Sequence, residues 1–144
     1  MPSKEAVEIF GRNMELVSAG KIREWVDLFT EDAVLEFPFP PPGFPPHIKG
    51  KEALYEHMKN FPQLLEVTFS TPVYYDAADP GLVIADFTSE GRALMTGNRF
   101  HQTYLSLVWT ANGKITRYRD FWDPWVIIQA LGGPEALAGP VENH

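Results

Sequence analysis

From residue 65 to residue 122 the apolar residues of this 144-residue chain recur at every second position. A period of two puts alternate side chains on opposite faces of a strand, and no helix can bury such a pattern. Leu65, Val67, Phe69, Thr71 and Val73 alternate over 65–75, and Asp79-Pro80-Gly81 then makes a turn. A long strand is predicted over 82–95, a turn at Thr96-Gly97-Asn98, and a further strand over 100–109. Asn112-Gly113 is a strong hairpin signal, because both residues accept the left-handed backbone of a tight turn, and it leads into 114–122. Four consecutive strands therefore form a meander.

The part before residue 65 reads differently. Val7, Phe10, Met14 and Val17 recur at helical steps, with Ser3 as N-cap and Gly20 as the stop. Ile22, Trp25, Val26 and Phe29 line a second, short helix, and Leu35, Phe37 and Phe39 share one face of a strand over 33–39. A stiff proline loop over 38–46 precedes a third helix over 51–61, which ends at Pro62 and turns Leu54, His57, Met58 and Phe61 inward. Asp123-Pro124 starts a last helix, packed by Ile127, Ile128 and Leu131 and ended by Gly132-Gly133. Helices in one block and a meander in another predict an α+β fold, with helices on one face of a curved antiparallel sheet. One domain is expected over 1–132, followed by a mobile tail over 133–144.

Composition excludes several functions. Nineteen acidic against twelve basic residues leave a net charge of −7, the wrong sign for a phosphate-tracking nucleic-acid binder. No apolar run approaches a membrane span and the first residues lack a secretory pattern, so a soluble cytoplasmic protein is expected. There is no cysteine, hence no disulfide, thiolate metal site or cysteine nucleophile. His47, His57, His101 and His144 show no paired-ligand spacing, so no metal is expected, with His57, His101 and Asp120 the one combination left open. No glycine-rich phosphate loop is present, and no cofactor is expected.

The opening helices followed by Leu28-Phe29-Thr30-Glu31-Asp32-Ala33-Val34 resemble the entry into the cone-shaped nuclear-transport-factor-2-like α+β barrel. Within that superfamily of ketosteroid isomerases and SnoaL-like cyclases, the chain is most similar to the phenazine-biosynthesis A/B proteins. Gly50, Leu54 and His57 match their third-helix pattern, and Asn112-Gly113-Lys114-Ile115 with Arg119-Asp120-Phe121 matches their last hairpin. The resemblance implies a deep apolar pocket between helices and sheet, a small-molecule substrate or ligand, and a homodimer formed through the sheet. The span from His57 to Phe61-Pro62 is about one helical turn shorter than in those relatives, and an aspartate stands at 120 where they have glutamate. The general base of ketosteroid isomerases aligns near Phe37, which takes no proton, so steroid isomerisation is not expected.

Asp120 is the leading candidate for catalysis. It lies between Tyr118 and Trp122 on one face of its strand, where an unpaired charge is costly and burial raises a carboxyl pKa toward neutrality. Ion pairing with Arg117 or Arg119 is opposed by strand parity, which points Ile115, Arg117, Arg119 and Phe121 the other way. The resemblance gives the matching residue an acid/base role and makes His57 a second acid/base or a substrate anchor. An even 111–113 loop would set His101 and Thr103 beside Asp120, and a three-residue bulged loop would set Gln102 and Tyr104 there. The family's pattern at 100–104 favours Gln102 and Tyr104. Trp25, Phe37, Tyr75, Phe87 and Trp122 are core aromatics, of which Trp25, Phe37, Phe87 and Trp122, with Tyr118, are taken to line the pocket. The proline loop is expected to form a rigid lip over its mouth. Two functions follow: a cofactor-independent acid/base enzyme of isomerase, cyclase, dehydratase or condensation type on a small apolar carbonyl or aromatic metabolite, or a non-catalytic small-molecule-binding dimer.

Overall fold

Residues 2–133 are described by the computed structural model, so the tail expected from residue 133 lies, Gly133 aside, outside the described residues. Helices α1 (Lys4–Ser18) and α2 (Ile22–Val26) open the chain and strand β1 (Phe29–Glu36) follows. Strand β2 (His47–Lys49), helix α3 (Lys51–Met58) and the one-turn α4 (Phe61–Leu64) lead into the sheet-forming half. That half consists of β3 (Leu65–Phe69), β4 (Val73–Tyr75), β5 (Leu82–Ala93), β6 (Arg99–Ala111) and β7 (Lys114–Trp122), closed by α5 (Pro124–Ala130).

The strands form one sheet in the order β2-β1-β7-β6-β5-β3, with β4 also paired to β5. Each neighbouring pair is antiparallel except β1 with β7, which run parallel. The sheet is thus mixed and open at β2 and β3, and it departs from the expected curved antiparallel sheet in this one parallel pair. A parallel pair needs a long connection, and the helices and meander between β1 and β7 supply it. Hairpin signals report only neighbours in sequence, so they carry no information on this pairing.

Ser3 caps α1 by accepting from the Ala6 N–H at 3.1 Å. Its deepest residues are Ala6, Phe10, Asn13 and Leu16, while Met14 and Val17 flank this stripe and border the cavity. Asp123 caps α5 through the Trp125 N–H, as expected. Pro62 does not end the third helix: α3 stops at Met58, and Pro62 stands in the first turn of α4, where its missing N–H costs nothing.

The 65–75 alternation is broken at Ser70-Thr71-Pro72. The Ser70 N–H still reaches the Thr88 carbonyl (2.9 Å) and its hydroxyl accepts from the Thr88 N–H, after which the chain resumes as β4 with shifted parity. Tyr74 therefore packs on Phe10, and Tyr75, expected in the core, is 48% exposed. Phe39 also faces out, because β1 ends at Glu36 and the Phe37 N–H turns back to the Pro46 carbonyl.

Candidate active site

Asp120 reaches the inner face because of one irregularity in β7. Asn112 and Gly113 form a two-residue turn with positive φ (52° and 78°), and Ala111 pairs with Lys114 and Thr110 with Ile115. Trp109 then pairs with Arg117, so Thr116 is an extra residue on its strand. This bulge reverses the parity that an even turn would impose. Tyr118, Asp120 and Trp122 face inward, Asp120 stands opposite Ser106, and Tyr104 stands opposite Trp122. Gln102 and Tyr104 therefore face the pocket as expected, through a two-residue turn and a later bulge and not through a bulged loop. The same bulge corrects the reading of Ile115, which is fully buried in the core with Tyr118 and not on the outer face with Arg117.

The inner face of the sheet, α1, α3, α5 and the proline loop enclose a cavity of about 240 Å³. Among the described residues no lysine or arginine lines it; its charge-bearing types are Asp120 and His57. The Ser106 hydroxyl donates to Asp120 Oδ1 at 2.9 Å, and Ser106 is wholly buried. Desolvation raises the Asp120 pKa to about 7 against the opposing pull of that hydrogen bond. The Asp120 carboxyl is therefore balanced between its two protonation states at neutral pH.

Behind Ser106 a polar chain runs back into α1. The Tyr118 hydroxyl donates to Ser106 Oγ (3.5 Å), Asn13 Nδ2 donates to Tyr118 Oη (3.4 Å), and the Trp25 indole N–H donates to Asn13 Oδ1 (2.7 Å). Burial drives the Tyr118 and Tyr104 phenols far above their ordinary value, so both stay protonated.

His57 lies on α3 against Phe37 and Phe44, with ring centroids 5.5 and 6.1 Å away. Burial pushes its imidazole below the ordinary value, so the ring is neutral at pH 7. No described residue hydrogen-bonds its nitrogens. Phe44, from the proline loop, also packs on Trp122, which makes the expected lip an aromatic lid edge. Tyr104 stacks on Phe87 at 4.7 Å, and its hydroxyl meets Ser89 at 2.9 Å.

Trp25, Phe37, His57, Phe87, Gln102, Tyr104, Tyr118, Asp120 and Trp122 all line this one cavity. Gln102 has a structural task there: Nε2 donates to the Asp123 carbonyl, and Oε1 accepts from the Thr103 and Asp123 N–H groups. That pins the start of α5 to β6. His101 faces the other side of the sheet, 2.6 Å from Glu90, so His57, His101 and Asp120 do not meet as metal ligands. Among the described residues no group of three or more metal-ligating side chains gathers.

Sequence reasoning missed Asn13, Ser89, Ser106 and Phe44. A signal existed for three of them. Asn13 sits three residues after Phe10 inside an apolar helical stripe, Ser89 follows the inward Val83, Ala85 and Phe87 of β5, and Ser106 shares its face of β6 with Val108 and Phe100. Buried small polar groups in such places need partners, and so mark a network.

An open, mixed sheet with helices closing over one face is the nuclear-transport-factor-2-like, ketosteroid-isomerase-like fold. Within it the chain belongs to the SnoaL-like domain family, whose model matches residues 11–118 and stops two positions before Asp120. A PhzA/B-like protein of Pseudomonas aeruginosa, PA3332, is 42% identical over 138 residues, covering 96% of this chain and 98% of that one. A crystal structure from Bacillus subtilis, of a protein provisionally assigned as an isomerase, is 37% identical with a TM-score of 0.87, covering 90% of this chain and 94% of that one. The epoxide hydrolase/cyclase-like enzyme SalBIII of salinomycin pyran-ring formation shares the fold at 24% identity and a TM-score of 0.68, over 83% and 92% of the two chains. Among the described residues no helix is long and apolar enough to cross a membrane.

Proposed function

We propose that this protein is a cofactor-independent acid/base enzyme of the isomerase, cyclase, dehydratase or condensation type, acting on a small apolar carbonyl or aromatic metabolite. Asp120 is its proton carrier, and the observation that carries this reading is a buried carboxyl in an apolar cavity that no described lysine or arginine lines, where desolvation pushes its pKa up to about 7. A general base works best when its pKa lies near the working pH, since it is then both available and strong enough to take a proton alpha to a carbonyl. Neutral His57, on α3, offers one donor and one acceptor nitrogen to hold or protonate the developing oxyanion. The aromatic walls lower the polarity around the acid, which strengthens each electrostatic contact made to the reacting atoms inside. The cyclase-like and isomerase assignments of the structurally similar proteins support this class of chemistry.

Carboxyl-carbon NMR, with Asp120→Asn assigning the signal, tests the reading together with α-proton exchange of apolar ketones in D2O. The expected result is a titration near 7 and exchange that falls about 10³-fold in Asp120→Asn. Titration near 4 sinks the proposal and leaves the second reading, a pocket that only holds its ligand.

The working unit we propose is a homodimer joined through the outer sheet face. Leu105 stays 39% exposed there, flanked by outward Leu107, Trp109 and Phe121, with Val73 and Tyr75 exposed on β4. An apolar stripe of this kind is ordinarily covered. Sedimentation equilibrium tests it: a monomer at micromolar concentration rejects the dimer and leaves the pocket chemistry untouched.

A further inference from the structure

The indole N–H of Trp25 can only donate, so the Asn13 atom facing it at 2.7 Å must be the amide oxygen. The orientation of Asn13 is therefore set by chemistry. Its NH2 group must then face Tyr118 Oη and donate to it. A phenol that accepts there turns its own proton elsewhere, and Ser106 Oγ is the acceptor at 3.5 Å. Ser106, accepting from Tyr118, sends its proton to Asp120 Oδ1 at 2.9 Å. Each link forces the next, and every proton in the chain points toward the carboxyl.

The consequence falls on Asp120 itself. Oδ1 receives a proton donor in both charge states, and because the carbonyl oxygen of a neutral carboxyl accepts better than its hydroxyl oxygen, that contact directs the acid proton to Oδ2. Oδ2 takes no hydrogen bond from the described residues, and no side-chain polar atom among them is both sealed from solvent and without a partner. Oδ2 is therefore the oxygen left to the cavity. We propose that Trp25 and Asn13 act as positioning residues: through Tyr118 and Ser106 they hold Oδ1 as a permanent acceptor, so that Asp120 takes and returns protons through Oδ2 alone.

This rests on the reading of Asp120 as the proton carrier and adds a stereochemical consequence. A proton leaving the substrate carbon goes to Oδ2, and the same oxygen delivers it to the second position. Removal and return then occur on one face of the substrate. The titratable groups that share the cavity with Asp120 are Tyr118 on its own strand, Tyr104 on β6 and His57 on α3. No described lysine or arginine lines that cavity.

The test is a double-mutant cycle read at the Asp120 carboxyl carbon in the full-length protein. Trp25→Phe removes the obligate donor and keeps an aromatic ring. Asn13 is then free to turn its oxygen toward Tyr118, whose proton leaves Ser106, and Ser106 becomes able to accept from a protonated Oδ1. The neutral acid gains a partner, and the Asp120 titration is expected to move up by about half a unit. Tyr118→Phe cuts the chain beyond Asn13 and is expected to raise the titration as well. In that background Trp25→Phe is expected to add nothing.

A Trp25→Phe effect that is zero, or equal in both backgrounds, overturns the proposal, since a packing effect would not need Tyr118. Should Trp25→Phe lose its near-ultraviolet circular dichroism, Tyr118→Phe decides alone, and an unmoved titration rejects the chain. A wild-type carboxyl titrating near 4 instead sinks the proton-carrier reading. A wild-type value near 7 with no response to either variant sinks only the relay.

Discussion

Asp120 and Glu90 lie on strands that flank β6, on opposite faces of the same sheet. On the outer face Glu90 is met by Arg99 at 2.6 Å and by His101 at 2.6 Å, and these hydrogen bonds, Arg99 first, hold its carboxyl below the ordinary range. Glu36, also outward, is held by Arg117 at 2.6 Å and Arg119 at 3.7 Å. On the inner face Asp120 has, among the described residues, only the Ser106 hydroxyl as a hydrogen-bond partner, and its pKa rises to about 7. The contrast separates two ways of neutralising an acid. Water and arginine let the outer carboxylates remain anions at little cost. Inside, where burial strips the carboxyl of most of its solvation and no described lysine or arginine lines the cavity, proton uptake is the favoured route. An acid that must take up a proton to be comfortable is one that can also give it away.

The sharpest way to break this contrast is to remove the inner charge and follow stability with pH. With a folded pKa of about 7 and an unfolded value of about 3.9, the folded state holds a proton between those pH values that the unfolded chain has released. Its contribution is complete below pH ~4 and lost as pH rises through ~7, a total of about 4 kcal/mol at 1.36 kcal/mol per unit. His57 works in the opposite sense. Its lowered pKa means that its contribution is present above 6.5 and is lost as pH falls. Asp120→Asn abolishes the first slope and keeps the second. In urea denaturation the variant is expected to exceed wild type by about 2–4 kcal/mol at pH 8 and to match it at pH ~4. Parallel profiles would mean that Asp120 has the same pKa folded and unfolded, and the contrast between the faces would collapse.

How much of this was legible beforehand depended on range. Turns and strands of the meander were readable because each is set by a few adjacent residues, as at Asn112-Gly113, and the caps of α1 and α5 were readable for the same reason. Asp120 stood out as an acid between Tyr118 and Trp122, with same-face neighbours two residues away. Thr116 gave no such sign: a β-branched residue is at home in any strand, and its bulge appears only against the register of β6. The parallel pairing of β1 with β7 was hidden because it joins segments some eighty residues apart in sequence. Tyr75 was misplaced by continuing the alternation through Pro72, where the strand changes parity. Asn13 and Ser106 are the instructive pair: each looks unremarkable alone, and their meaning comes from Tyr118, which joins them across 105 and 12 residues of sequence.

The weaker lever sits on the outer face. Arg99→Ala takes from Glu90 its first hydrogen-bond partner and leaves His101 at Nδ1, which can carry a charge only when protonated. The Glu90 titration is expected to move up toward the ordinary carboxylate range, because the arginine is the largest cause of its depression. Stability is expected to change little, with Tm moving by no more than about 1–2 °C, since exposed ion pairs largely exchange one solvated state for another. Carboxyl NMR and a thermal melt on the same sample give both numbers. A large loss of Tm would mean that the Glu90–Arg99–His101 cluster is buried in solution by something the single chain lacks, and the second copy docked on that sheet face would be the first place to look. A small loss keeps the two faces distinct: outside, charges are held by partners that can be removed at little cost, and inside, one charge is governed by burial.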